Sequence, residues 1–379
     1  MNAVPTPLET GTRALAAGDR AAAMAAFGQA ADQSQVPYMA LARACFEAGD
    51  AAGGEAALAA RIKADRGDIG AILSMAEAKR RARDHRAAAT FGKLALATAA
   101  QLGNIAPDLA AALRRVEQFV AQTDREFAAH LFAQLDAAGV RRSTASPRIA
   151  EALAMLAGEQ PLYLQQPSMF YFPGLAQRAW WDAAEFAWAA DIEAATDAIT
   201  AELNALLAGI DTFTPYVQAS PDRPPPNNPL LDKPDWGAAW LLKDGEVADG
   251  MAAACPATLA ALAHAPQPVI PKRAPLALFS RLKPGTHILP HHGMLNTRLI
   301  CHLPLIVPDG CALRVGAETR EWQRGKLTIF DDSFEHEAWN RGTSDRTVLL
   351  FEIWRPDLTG EERDQLTRIF AAIDSYGVN

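Results

Sequence analysis

The sequence predicts two domains of different class: an all-α helical-repeat domain at the N-terminus, then a jelly-roll β-domain with flanking helices at the C-terminus. Three observations carry this expectation. Alanine dominates the first 160 residues, while all eight tryptophans lie at or beyond Trp180. Beyond Pro275 the chain is punctuated by turn residues into a run of short strands. Five of the eight histidines (His287, His291, His292, His302 and His336) crowd into that same stretch, and a metal site is the leading reason for such clustering.

Taken in order, residues 1–104 read as helical repeats, 105–160 as connecting helices and 161–379 as the β-domain. Within the first part a unit recurs: Ala17-Gly18-Asp19, Ala48-Gly49-Asp50 and Ala82-Arg83-Asp84, at intervals of 31 and 34 residues. Each is preceded by an apolar helical face, such as Met39, Leu41, Ala42 and Cys45, and followed by an alanine-rich one. Small residues at helical spacing let two helices pack closely, and the Gly-Asp pair turns the chain between them. A period near 34 in helix–turn–helix units resembles tetratricopeptide repeats. The usual large aromatic early in each repeat is missing from the first and third units, and a plain alanine-rich bundle is the alternative. Repeats would stack with a groove open to a protein or peptide partner. A longer helix is expected over Asp108–Ala138, with Pro107 at its start and Gly139 at its end. A shorter one, Pro147–Ala157, would be capped by Ser146.

From about Leu162 the texture changes. Met169-Phe170-Tyr171-Phe172 reads as a short aromatic strand ended by Pro173-Gly174. Asp191–Leu207 has helical period, with Ile192, Ala195, Ile199, Leu203 and Leu206 on one face. Arg223-Pro224-Pro225-Pro226-Asn227-Asn228-Pro229 can be neither helix nor central strand, and is expected to be an exposed loop. Strands are then predicted at Leu276–Leu282, Arg298–Val307, Ala312–Gly316, Glu318–Gln323, Lys326–Phe330 and Arg346–Trp354. Six short strands at this spacing, with metal-binding histidines among them, suggest a cupin-like jelly roll, that is, a double-stranded β-helix.

His291 stands at the entry to one strand region and His336 just after another, positions that can face each other across the mouth of a jelly roll. Neutral imidazole suits iron, and non-heme Fe(II) oxygenases usually hold it with two histidines and a carboxylate. The carboxylate commonly lies two residues after the first histidine. Here that position is Gly293, which can supply no ligand. Adjacent residues on a strand point to opposite faces, so His292 is expected to be a neighbour and not a ligand. His287 reads as a turn residue after Pro284-Gly285. Asp331 and Asp332 are expected to orient backbone amides or the histidine, and Trp322, Trp339 and Trp354 to be core. Arg346, ten residues after His336, heads a strand in which Val348 and Leu350 share its face. Its guanidinium should enter an otherwise apolar interior, where an unpaired charge is unfavourable and a dicarboxylic acid would supply the partner.

The pattern Lys283-Pro284-Gly285-Thr286-His287, Pro290-His291 and Gly293, followed by Phe330-Asp331-Asp332-Ser333-Phe334-Glu335-His336-Glu337, Trp339 and Arg346, resembles the aspartyl/asparaginyl β-hydroxylase family. The likeness is dense from Leu276 to Pro356 and weaker around Met169–Leu175 and Trp180-Trp181-Asp182. It implies an Fe(II)- and 2-oxoglutarate-dependent oxygenase whose iron is held by two histidines, His291 and His336. It also implies that Arg346 clamps the distal carboxylate of 2-oxoglutarate with help from Ser280, and that His302 lies near the iron-proximal end of that co-substrate. The family often has a second arginine where this chain has Ile300, and Arg298, on the same strand face, is expected to compensate. The implied reaction hydroxylates an unactivated carbon, foremost the β-carbon of an aspartyl or asparaginyl residue in a peptide, protein or small molecule. The alternatives are the same chemistry on a lipid or other metabolite, and a repeat-based interaction protein with a vestigial oxygenase domain.

Charge and composition exclude other classes. A net charge of −8 and a pI near 5.5 argue against nucleic acid or an anionic membrane as main partner. No apolar run is long enough to span a bilayer, which tells against a lipid substrate, and residues 1–10 lack the features of a secretory signal. Cys45, Cys255, Cys301 and Cys311 show no Cys-x-x-Cys spacing and read as buried thiols in a reducing cytoplasm.

Overall fold

The computed structural model describes residues 4–209, 212–220 and 224–376; of the segments discussed above, residues 1–3 and Arg223 lie outside these. The chain forms two compact units, 1–160 and 161–379.

The first unit is helical. It comprises α1 (Pro7–Ala16), α2 (Arg20–Phe27), α3 (Tyr38–Glu47), α4 (Ala51–Ala64), α5 (Ile69–Arg81), α6 (His85–Ala99), α7 (Pro107–Ala137) and α8 (Pro147–Leu156). The recurring tripeptide is the turn within each helix pair. Gly18 and Gly49 take left-handed backbone angles (φ +79° and +77°) that only glycine adopts without strain. Asp19, Asp50 and Asp84 then cap the second helix, each side chain accepting the N–H three residues on, at 2.8–3.0 Å. In the third pair Arg83 holds the left-handed position, with φ +61°. Pairs close because large side chains sit over glycines. A Cβ on Gly11 would stand 2.4 Å from the Phe27 ring, and one on Gly92 2.8 Å from Val120. Between α3, α4 and α5 runs a groove of about 790 Å³ bordered by Met39, Arg43, Phe46, Leu58, Glu77 and Arg81. Ser146 precedes α8 in extended conformation, but its side chain makes no cap hydrogen bond.

The second unit is an antiparallel β-sandwich with helices. Its first part holds β1 (Trp180–Trp181), α9 (Ala189–Ala194), α10 (Thr196–Ala208), β2 (Thr214–Pro215), β3 (Trp236–Lys243), β4 (Glu246–Val247), α11 (Met251–Ala254) and α12 (Pro256–Leu262). Then come β5 (Ala277–Leu282), β6 (His287–His291), β7 (Arg298–Ile306), β8 (Cys311–Val315), β9 (Glu318–Glu321), β10 (Thr328–Phe330), β11 (His336–Asn340), β12 (Arg346–Trp354) and α13 (Gly360–Asp374). The larger sheet has the order β1-β10-β7-β12-β5-β3-β2, with β4 on β3; the smaller is β6-β11-β8-β9. Side chains alternate across each strand. Along β12, Leu349, Phe351 and Ile353 pack outward with Ile199 and Leu203 of α10. Val348 and Leu350 point inward among Leu278, Ile288 and Leu313, between the sheets.

Several expectations change. Met169–Phe172 is not a strand: Phe170 makes one isolated bridge to Leu295, and its ring packs on Phe370 of α13, so the aromatic run serves side-chain packing. The helix predicted over Asp191–Leu207 breaks at Ala195 into α9 and α10. Strand β3 shows no alternation because nearly all of it is buried. β6 and β11 escape the pattern because each is short and carries polar residues toward a site. His287 therefore opens a strand, with Nε2 2.6 Å from Glu337. Residues 224–228 are irregular, as their prolines require. All four cysteines are buried and free.

Candidate active site

The histidine pair is set by strand register. His336 opens β11 directly opposite His291, the last residue of β6. The rings are thus cross-strand neighbours on one sheet, with centroids 4.1 Å apart. The ladder slips between His336 and Ala338, which tilts the strand end at the site. Each imidazole is anchored by its own backbone: His291 Nδ1 lies 2.8 Å from the Leu289 carbonyl and His336 Nδ1 3.0 Å from that of Phe334. A carbonyl only accepts, so Nδ1 carries the proton and Nε2 keeps its lone pair. Burial and the neighbouring His291 push the His336 pKa down to about 3, so that ring is neutral at physiological pH. Two imidazoles, oriented through Nδ1 and side by side, are a fitting donor pair for a transition metal. Among the described residues no group of three or more His, Cys, Asp or Glu side chains is placed to hold one.

Gly293 explains the absent carboxylate. A Cβ there would stand 2.2 Å from the Asp332 carboxylate, and the Gly293 N–H donates to the Asp332 carbonyl at 2.6 Å. Asp332 thus occupies the space that a side chain at position 293 would need. Its Oδ1 is buried without a hydrogen-bond partner. Asp331 turns the other way. It accepts from Ser333, Gln165 and Arg355, its ion pair with Arg355 being fully buried. That pair fixes the loop leading into His336, matching the orienting role expected of the acidic residues.

Both histidines border a cavity of about 320 Å³ between the sheets, whose wall also includes Ser280, Arg298, Ile300, His302, Asp332 and Arg346. Arg346 is 1% exposed. It lies over the Trp322 ring at 4.6 Å, reaches the Ser280 carbonyl at 3.4 Å and leaves Nε unpartnered. No carboxylate pairs with it among the described residues, and burial pulls its pKa down to about 10. Trp322, expected as plain core, is thus the aromatic floor under this cation. The Ser280 hydroxyl accepts from Trp236 Nε1 at 3.1 Å. His302 is held far below the usual histidine pKa by burial, then by Arg346 and His336, and its Nδ1 lacks a partner.

Arg298 differs. Burial alone would lower its pKa, but Glu352 and Asp332 more than reverse this. It pairs closely with Glu352, and with Asp332 at 3.4 Å. Its charge is already met, so it does not replace a cation at Ile300; Arg346 is the arginine of the wall that lacks a carboxylate. His292 borders the cavity too, because the chain leaves β6 at His291 and strict alternation ends there.

A sequence profile described as Aspartyl/Asparaginyl beta-hydroxylase matches residues 193–356. The C-terminal unit is similar to this family over those residues. The chain is 38% identical over 146 residues to a mouse aspartyl/asparaginyl beta-hydroxylase, covering 38% of this chain and 20% of that protein. It is 36% identical over 179 residues to an ornithine lipid ester-linked acyl 2-hydroxylase of Rhizobium tropici, covering 46% and 60%. It therefore spans about a fifth of the first relative and three-fifths of the second. Among solved structures, the Schizosaccharomyces pombe Cnp3 cupin domain aligns with 32% of the chain and 66% of its own length, at 10% identity and TM-score 0.22. The first TPR of Spaghetti bound to an HSP90 peptide aligns with 30% and 90%, at 17% identity and TM-score 0.23.

Proposed function

We propose that the C-terminal unit is an Fe(II)- and 2-oxoglutarate-dependent dioxygenase that hydroxylates an unactivated carbon. The observation that carries this reading is a buried arginine without a carboxylate partner in the same cavity as two Nδ1-anchored histidines. Iron, when bound, would supply the activation of dioxygen. His291 and His336 would hold it through Nε2. Arg346 would take the distal carboxylate of 2-oxoglutarate as a charge-assisted pair, relieving the unfavourable burial of its lone charge. Ser280 lies beside it to accept or donate at the same carboxylate, and the neutral His302 offers Nδ1 toward the co-substrate. The apolar walls between the sheets would keep water from the reacting centre. One oxygen atom enters the product and the other succinate, with CO₂ released, so that R–H becomes R–OH.

An aspartyl or asparaginyl side chain is the substrate suggested by the family's name. A hydrocarbon chain is the second reading, favoured by the compensated state of Arg298 and the apolar Ile300. The groove between α3, α4 and α5 would serve a protein or peptide partner. The test is succinate formation from 2-oxoglutarate with Fe(II) and oxygen, compared with His291→Ala and His336→Ala. Succinate from the parent protein and none from either variant is expected; equal yields from all three would refute the reading.

A further inference from the structure

The stretch 161–178, with which the β-unit begins, forms no helix and no strand beyond the isolated bridge at Phe170. It is nevertheless bonded to both loops that flank the histidine pair: 292–296, which follows His291, and 331–335, which precedes His336. Gln166 N–H donates to the Ser333 carbonyl at 2.7 Å and Ser168 N–H to that of Gly293 at 2.9 Å. The N–H groups of Met169 and Phe170 both donate to the Met294 carbonyl, at 3.1 and 3.0 Å. The hub is Gln165, which is 6% exposed. Its Nε2 donates to Asp331 Oδ2 at 2.8 Å and to the Ala176 carbonyl at 2.9 Å. Its Oε1 accepts from Asn296 Nδ2 at 3.1 Å and from Gln177 Nε2 at 3.0 Å. A carboxylate and a carbonyl only accept, so the amide has one allowed orientation, and both of its donors and both of its lone pairs are used. Asn296, fully buried, closes in turn on the N–H and carbonyl of Phe172. One amide thus bridges the first loop through Asn296 and the second through Asp331.

His291 ends β6 and His336 opens β11, so the pair sits on the last rung of that ladder, beside its slip. A rung at a strand end opens more easily than one within the sheet, and on its open side the two loops are what hold it. Among the described residues no third metal-ligating side chain completes the set, so the spacing of two imidazoles has to serve alone. Donors held at the right spacing before the metal arrives bind it more tightly than donors that must be ordered on binding. Resting on the assignment of His291 and His336 as the metal's ligands, we infer that Gln165 is a positioning residue of that site. Its amide locks the two histidine loops together and so fixes the distance across which both rings can hold one ion. The aromatic run that follows, with Phe170 and Phe172 packed beside Phe370, anchors the segment to α13.

The test titrates the full-length, metal-free protein with Co(II) alone by calorimetry, and follows amide exchange in both loops by mass spectrometry. Gln165→Ala should raise the Co(II) dissociation constant at least ~10-fold and quicken exchange over 292–296 and 331–335, with β7 and β12 still protected. Leu203→Ala is the control for a merely structural role. It opens a cavity in the packing of α10 on the outer face of the larger sheet, so it lowers the unfolding midpoint but should leave Co(II) affinity within ~2-fold. Gln177→Ala, at an exposed position, removes two bonds that orient Gln165. It should give the same changes in smaller degree, and it decides the matter if Gln165→Ala does not fold. Unchanged Co(II) affinity in the glutamine variants, or an equal loss in Leu203→Ala, would overturn the inference while binding that His291→Ala abolishes keeps the metal site standing. A parent protein that binds Co(II) no better than His291→Ala would overturn both.

Discussion

The two units bury opposite things. Among the described residues, every buried polar or charged side chain other than Tyr38 and Cys45 lies at Gln165 or beyond, and the rest of the helical unit's core is built from alanine, leucine, isoleucine, valine, methionine and phenylalanine. The β-unit encloses Arg281, Arg346, Arg355, Asp331, Asp332, Glu352 and His302. An apolar core of helix pairs is assembled from neighbours in sequence and needs only volume matching. Buried charge is unfavourable unless each group finds its partner, so its concentration in one unit marks where a chemical task has been set against stability. Within the β-unit the same contrast recurs. Asp331–Arg355 and Arg298–Glu352 are matched, whereas Arg346 is not.

The contrast is tested most strongly at the site. Loss of either imidazole, by His291→Ala or His336→Ala, is expected to abolish succinate formation, whereas His292→Ala keeps a substantial part of it. An active His291→Ala beside a dead His292→Ala would reverse the ligand assignment. Next comes the matched pair. Arg355→Ala leaves Asp331 buried without its cation and should destabilise the β-unit by ~3–5 kcal/mol, read from urea unfolding. A loss below ~1 kcal/mol would mean that the pair contributes no more than a surface bridge. The unmatched arginine should behave the other way. Arg346→Ala leaves the fold standing and raises the dissociation constant of 2-oxoglutarate at least ~10-fold, by anaerobic titration. Equal affinities would place the carboxylate elsewhere, and Arg298 is the next position to examine.

The helical unit should answer to volume and backbone alone. Gly11→Ala drives a methyl into the Phe27 ring and is expected to cost ~1–2 kcal/mol, despite alanine's better helix propensity. A stabilised variant would show that the first pair has slack. The smallest effect is at the third turn. Arg83→Gly relieves a left-handed arginine and should stabilise this unit by ~0.5–1 kcal/mol, offset in part by the freer unfolded chain. Thermal unfolding followed by helical circular dichroism reads both.

Local signals in the sequence carried much of this. The turn tripeptides, the long helix from Pro107 and the strands at β5, β7, β8, β9, β10 and β12 are written in short-range pattern, because caps, left-handed turns and alternation act over a few residues. The histidines and Arg346 stood out for the same reason, being polar residues in an apolar stretch. What the sequence left undecided are pairings between residues distant along the chain. That His291 and His336 lie side by side on one sheet follows from the β6–β11 register. That Asp332 fills the space above Gly293, and that Glu352 and Asp332 neutralise Arg298, depends on three segments meeting. A side chain's type fixes what it can bond, but only the tertiary structure decides which partner reaches it first and which charge is left for a ligand.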